Sequence, residues 1–501
     1  MKKIILEGYI MYKNSKRTIA LLCALLMLSG CGTTVENSAN SDTPETASAA
    51  ADTVQTEETA EETVDLYAEL RGVNGEDQTV NILLRQEFTY EFMADEMIGE
   101  PINDTVYERN RATEELLNIS LTFNPVPGSY SNQDQFKNAF TSSVLANDGS
   151  YNLVMCAANY MLPLTTEGHF RNLMNMPELS MDQPWYALNY IDSMQVANRL
   201  YLTAGSASIN YLENMCVLFF NKNLMTDFGY SSPYDLVREG KWTYDELYAL
   251  VDGAYRDTNG NGKVDETDTL GYLTYGNMIN AQTVSMGHAY IVRNEKGILG
   301  LAPEVSERTI DIYTKTEAFI NQLDGTYFYN DAAKDALQTT DSMLTLWGSG
   351  NVMFFPQVLS TAGKMRDDEF DFGVVPLPKY DTEQAEYKSY ILENVTVMGI
   401  PSYQTDPIAA QTLEALSIYG YDRLSHVYYD VVLKDKYSRD ADTREMLDLI
   451  AKSATFEYPI DTQFMANCIK DNIPFVSTFE KQHKMFSKSF EKIVKAWLEL
   501  E

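Results

Sequence analysis

The sequence predicts an α/β protein folded as two lobes, and three observations carry that expectation. At 501 residues the chain is longer than one hydrophobic core holds. Apolar segments of strand length alternate with segments of helical period, the pattern of mainly parallel sheets wrapped by helices. Hydrophobic residues make up 45% of the chain and aromatic residues 12%, enough to fill both cores, so most of the chain should fold.

At the N-terminus, Lys13, Lys16 and Arg17 precede the apolar run 18–28, which is too short to remain as a membrane span. Residues 1–30 read as a secretion signal, with Met11 an alternative start to Met1. Its ending, Leu28-Ser29-Gly30-Cys31, resembles a bacterial lipobox, which implies that Cys31 becomes the lipid-bearing first residue of the mature chain. An uncleaved anchor or an unlipidated secreted protein is the other reading. Residues 31–77, rich in Thr, Ala, Ser and Glu, are expected to form a flexible acidic tether, because they bury too little to offset chain entropy.

The body opens with a central strand over Val80 to Leu84, then a polar and aromatic loop from Gln86 to Tyr90. A helix from Asp104 to Leu117, a strand at Leu121 to Phe123, a helix from Gln133 to Ala146 and a strand from Tyr151 to Ala157 complete one α/β unit. Ligands of such sheets gather at the carboxyl ends of the strands, which singles out Glu87, Tyr90, Asn159 and Tyr160. Residues 163–205 read as a loop-rich passage containing Trp185. Cys216 to Phe220 is a continuous apolar run, hence a strand covered on both faces. Thr243 followed by Glu246 is a capping box that starts a helix, with Trp242 packing at its entry. Further on come helices at 306–323 and 331–347, strands at 351–355, 370–379 (ended by paired prolines) and 395–400, a helix at 409–419 and a helical tail that Trp497 anchors. Trp347, Phe355 and Gln357 fall in or beside strand ends of this second half.

The loop from Asp257 to Asp268 places oxygen side chains at the first, third, fifth, ninth and twelfth positions and Gly262 at the sixth. That spacing predicts a structural calcium site with Asp257, Asn259, Asn261, Asp265 and Asp268 as ligands and Lys263 offering its carbonyl. Asp268 stands where the long bidentate glutamate belongs, and a metal-free Asx-rich turn is the competing reading. No cofactor is otherwise required.

A net charge of −34 repels phosphate backbones and anionic lipid, which argues against nucleic-acid partners. Cys156, Cys216 and Cys468 lie among apolar neighbours and read as buried thiols rather than a disulfide framework. Four histidines, with neither a zinc-protease helix motif nor a Gly-x-Ser-x-Gly elbow, give little support to hydrolytic chemistry.

Phe219-Phe220-Asn221-Lys222-Asn223-Leu224, Gly240-Lys241-Trp242-Thr243-Tyr244-Asp245-Glu246-Leu247, Ser349-Gly350-Asn351-Val352-Met353-Phe354 and Phe372-Gly373-Val374-Val375-Pro376-Leu377-Pro378 follow one another in a revealing order. From about residue 78 to the end, the chain resembles the extracellular solute-binding lipoproteins of carbohydrate ABC importers, with the type II periplasmic-binding-protein fold. The resemblance implies two α/β lobes joined by hinge strands: 78–213 with 395–440, and 214–394 with 441–501. It also implies a monomer, anchored by lipid on the extracellular face of the cell membrane, that passes a carbohydrate to an ABC permease. Sugars need aromatic platforms and fixed polar groups, so Glu87, Tyr90, Asn159, Tyr160, Trp185, Trp347, Phe355 and Gln357 are the candidate ligand residues. A secreted glycoside-processing enzyme, a ligand-sensing co-receptor and a binder of a non-sugar solute such as a peptide are the alternatives.

Overall fold

The computed structural model describes residues 65–501 except 290, 296, 303–304, 330–335, 430–440, 459–463, 472 and 501. The signal segment, Cys31 and the tether to residue 64 lie outside the described residues. The strands are β1 (Gln78–Arg85), β2 (Ile119–Val126), β3 (Leu153–Ala157), β4 (Cys216–Asn221), β5 (Leu270–Thr274), β6 (Ile291–Arg293), β7 (Leu299–Leu301), β8 (Thr326–Phe328), β9 (Val352–Val358), β10 (Phe372–Val375), β11 (Ser389–Tyr390), β12 (Thr396–Gly399) and β13 (Ala454–Thr455). The longer helices are α1 (Pro101–Leu117), α2 (Gln133–Ala146), α3 (Tyr244–Ala254), α4 (Gly276–Ser285), α5 (Glu307–Asn321), α6 (Ala336–Gly348), α7 (Ile408–Tyr419), α8 (Ala441–Lys452) and α9 (Phe475–Glu499).

Two sheets organise these elements. The first runs β12-β3-β1-β2, with β1 parallel to β2 and β3 and with β12 antiparallel to β3, Thr396 opposite Ala157. The second runs β10-β4-β9-β5-β8, where β5 is parallel to β8 and β9 while β4 runs against β9 and β10. All of β4 is buried, as its unbroken apolar run predicts. Val217 and Phe219 join the core that holds Trp347 and Phe355, and Leu218 and Phe220 join the one that holds Trp242 and Phe354.

Local signals set the helix starts. The Glu100 side chain accepts from the Asn103 amide at 2.8 Å and Pro101 fixes the first turn of α1. Thr243 Oγ1 accepts from the Glu246 amide at the start of α3, and the Trp242 indole donates to the Pro376 carbonyl at 2.9 Å from a fully buried position. Cys156, Cys216 and Cys468 are buried on three different elements, and burial pushes the Cys156 thiol up to about 12.

Two expectations are corrected. The stretch 65–77 is not part of a free tether: Leu70 is buried, and the Gly75 and Asp77 amides donate to the carbonyls of Leu117 and Asn118. Leu66, Tyr67 and Val73 pack against the same core as Leu70, and these backbone bonds to the end of α1 complete the docking. Nor does the tail stay on the second lobe. Phe475 at the start of α9 packs on Tyr313 and Phe464, but the Trp497 indole donates to Thr165 Oγ1 at 2.8 Å, so α9 ends on the first lobe.

The lobes are tied where the chain passes between them. The outward passage at Asn214–Met215 and the return passage at Ile391–Leu392 lie antiparallel, with the Leu392 amide donating to the Asn214 carbonyl at 3.2 Å. β13 adds a third segment, the Ile391 amide donating to the Thr455 carbonyl at 2.9 Å.

Candidate functional site

The segment that follows the return passage, residues 393–396, is the floor on which the carboxyl ends of the first sheet converge. The Asn159 amide, just beyond β3, donates to the Glu393 carbonyl at 2.9 Å, and Ala158 donates to Val395 at 2.9 Å. Arg85, the last residue of β1, reaches the same segment: Nη2 donates to Thr396 Oγ1 at 3.0 Å and to the Asn394 carbonyl at 3.4 Å. Its guanidinium lies 3.9 Å from the centre of the Phe88 ring, a cation–π contact that holds the plane of the fork.

Among the described residues, three buried polar atoms on this floor have no partner: Arg85 Nε, Asn159 Oδ1 and Asn394 Oδ1. Buried polar atoms are almost always satisfied, so one donor and two acceptors left over in one place suit a guest carrying hydroxyl groups. Tyrosines stand around them. Tyr90 donates its hydroxyl to Glu213 Oε2 at 2.5 Å, and Tyr160 is held near Arg85. Burial raises the Tyr90 phenol and, more weakly, the Glu213 carboxyl that accepts from it. From the second sheet, Tyr275 follows β5 and sits by Cys216, Gln357 and Glu393, its phenol pushed up by burial and then by the neighbouring thiol.

Of the eight candidate ligand residues, the structure places Glu87, Tyr90, Asn159 and Tyr160 on the first-lobe rim and Gln357 near the end of β9, against Tyr275. Glu87 clamps the rim, accepting from the Gly128 amide at 3.0 Å. Three are corrected. Trp347 is fully buried and stacked on Phe355 at 5.4 Å, with Phe370 edge-on at 5.3 Å, so both Trp347 and Phe355 fill the core under the second sheet. β9 extends to Val358, which puts Phe355 inside the strand rather than at its end. Trp185 is buried and engaged by buried Glu414 on α7, whose carboxylate accepts from the Trp185 indole at 3.2 Å and from the Tyr186 hydroxyl at 2.5 Å.

Sequence reading missed Arg85, Asn394, Thr396, Glu213 and Tyr275. The strand-end rule that found Asn159 also applies to Arg85 and Tyr275. Asn394 and Thr396 gain their place only from the antiparallel register of β12 against β3.

The calcium expectation is also corrected. Asp268 is fully buried and already engaged, Oδ1 accepting from the Thr258 amide at 3.0 Å and Oδ2 from the Asp265 amide and the Tyr255 hydroxyl. Asp257 accepts from the Gly260, Asn261 and Gly262 amides, and Asp265 from the side-chain amides of Asn259 and Asn261 and from Thr267. The Lys263 carbonyl accepts from Tyr255. Among the described residues no three Asp, Glu, His or Cys side chains come together where a metal could sit. The oxygens that the spacing marks as ligands are spent on closing the loop as an Asx-rich turn.

No family model matches the chain, and no curated protein matches it either. Many solved structures share its fold. An ABC substrate-binding protein from Listeria monocytogenes in complex with cycloalternan superposes with a TM-score of 0.54 at 10% identity, covering 83% of this chain and 100% of its own. The GacH receptor of Streptomyces glaucescens, whose structures include a complex with acarbose, gives 0.51 at 13% identity over 85% of this chain and 100% of its own. A maltose/maltodextrin-binding domain from Bdellovibrio bacteriovorus bound to maltotriose gives 0.50 at 12% identity over 83% of this chain and 100% of its own. The chain therefore has the two-lobed α/β fold of these binding proteins.

Proposed function

We propose that this protein captures a saccharide between its two lobes and delivers it to an ABC importer. The observation that carries the reading is the floor of the cleft, where Arg85 Nε, Asn159 Oδ1 and Asn394 Oδ1 are buried and unpartnered beside Tyr90, Tyr160 and Tyr275. A sugar satisfies such a set on both counts, because each hydroxyl donates and accepts and each ring offers an apolar face to a phenol. The ligands bound in its structural neighbours, cycloalternan, acarbose and maltotriose, are all oligosaccharides, which supports the same class. Those neighbours are binding proteins, which supports capture without turnover. Lipidation of Cys31, a position on the outer face of the cell membrane, action as a monomer and docking to a permease complete the proposal, resting on the Leu28-Ser29-Gly30-Cys31 signal and the fold.

A thermal-shift and calorimetry panel of linear and cyclic gluco-oligosaccharides, with dipeptides as the contrast, tests it. At one hundred times Kd a bound sugar should stabilise the native state by about 2.7 kcal/mol, and no hydrolysis product should appear. Asn159→Ala removes one neutral acceptor and should weaken binding by about 1 kcal/mol, roughly fivefold, with the unliganded melting point unchanged. Stabilisation by peptides and by no sugar overturns the assignment.

A further inference from the structure

We infer that Glu91 is a positioning residue of the cleft: its carboxylate ties the rim turn to the segments flanking both passages between the lobes and so fixes where Arg85 points. This rests on the reading of the cleft given above and adds a residue that the ligand need not touch.

Glu91 closes the rim turn Gln86–Glu91 and is fully buried. Its Oε1 accepts from Thr396 Oγ1 at 3.0 Å, and its Oε2 accepts from the Ser208 hydroxyl in a short bond. Thr396 opens β12 directly after the return passage. Ser208 leads into the turn Asn210–Glu213, which feeds the outward passage. One carboxylate thus reaches the segments that flank both passages between the lobes, and a bond from the Thr396 amide to Asn210 Oδ1 at 2.9 Å joins the two.

The proton inventory defines the working state. Thr396 Oγ1 already accepts from Arg85 Nη2 at 3.0 Å, and Ser208 Oγ accepts from the Asn210 amide at 3.1 Å. Each hydroxyl therefore directs its own proton to Glu91, and the pattern is complete when the carboxylate is ionised and acts purely as an acceptor. A protonated Glu91 brings a hydrogen of its own into one of these bonds, turns that hydroxyl away, and slackens the Thr396 to Arg85 link.

The groups facing the carboxylate are Arg85 from β1, Cys156 from β3, Arg109 from α1, Glu213 from the turn after Ser208 and Tyr90 beside it on the rim. Burial pushes Glu91 up to about 7 from the ordinary 4.5, while Arg85, Ser208 and Thr396 pull the other way. The native state then binds more protons than the unfolded chain between these two values. This group's contribution to stability is full below the lower value and is lost as pH rises to the upper one. Ligand affinity should run in the opposite sense, rising from pH 6 to pH 8 as the ionised form takes over.

The test compares wild type with Glu91→Gln, by calorimetry with maltotriose at pH 6 and pH 8 and by hydrogen–deuterium exchange of the unliganded protein. The expected result is about tenfold weaker binding at pH 8, a flat pH profile, and faster exchange in both 85–92 and 391–399. If Glu91→Gln does not fold, Thr396→Val is read by the same measurements, with faster exchange expected in both segments. Wild-type exchange in either segment of a folded variant, or a wild-type pH profile, overturns the inference. If wild type binds neither maltotriose nor any other saccharide, the functional reading fails instead, and the exchange data still decide the role of Glu91.

Discussion

Replacing Arg109 with alanine is expected to destabilise the protein by about 3–5 kcal/mol, the cost of leaving buried partners of a charge unpaired. Arg109 is fully buried on α1, where the first lobe, the rim turn and the loop before the outward passage meet. Nη1 donates to the Ala207 carbonyl at 2.7 Å, Nη2 to the Glu91 carbonyl at 3.2 Å, and Nε to Asn110 Oδ1 at 3.2 Å. Burial pulls the guanidinium down to about 10, partly offset by the Glu91 charge, so it stays protonated at neutral pH. Alanine strands two buried carbonyls and removes the cation nearest the Glu91 backbone, and water cannot reach the vacated space without opening α1. Lysine should rescue little, because an ammonium cannot present two N–H bonds in the fork geometry that Ala207 and Glu91 require. Urea denaturation checks this: a midpoint near that of wild type for Arg109→Ala would show that the network carries no net stability.

The second large effect is expected from Trp347→Ala, at about 3–5 kcal/mol for emptying a buried aromatic site. The ring is enclosed by Phe355, Phe370 and Phe372, with centroids between 5.3 and 6.3 Å, and little of that shell can collapse because Phe355 and Phe372 are pinned in paired strands. Saccharide affinity of the folded fraction should stay within about twofold of wild type. A platform residue would give the reverse, a small change in stability and a large loss of binding, so one variant separates the two roles that sequence alone confounds.

That confusion shows where the sequence was legible. β4 and the start of α3 could be read because their signals are local: an unbroken apolar run is what a strand covered on both faces requires, and Thr243 caps the residues next to it. Glu87, Tyr90, Asn159 and Tyr160 were found on the rim because a parallel sheet puts all its carboxyl ends on one side. Trp347 and Phe355 were misplaced because an aromatic beside an apolar strand looks the same whether it faces the core or the solvent. The loop at Asp257–Asp268 shows the same limit, since spacing reveals oxygens but not the N–H groups they satisfy. Asn394 and Thr396 lay beyond sequence reasoning for a further reason. Their neighbours, Arg85 and Asn159, are more than two hundred residues away and meet them only through the β12–β3 register.

We expect the lobes to close on a saccharide held on the floor formed by Arg85, Asn159 and Asn394. Small-angle X-ray scattering of the folded body with and without a saturating saccharide, identified by the thermal-shift panel, tests it most directly. The radius of gyration should fall on binding in wild type and fall less at equal saturation in Glu91→Gln. An unchanged radius of gyration with calorimetrically proven binding would place the sugar outside the cleft and contradict the account.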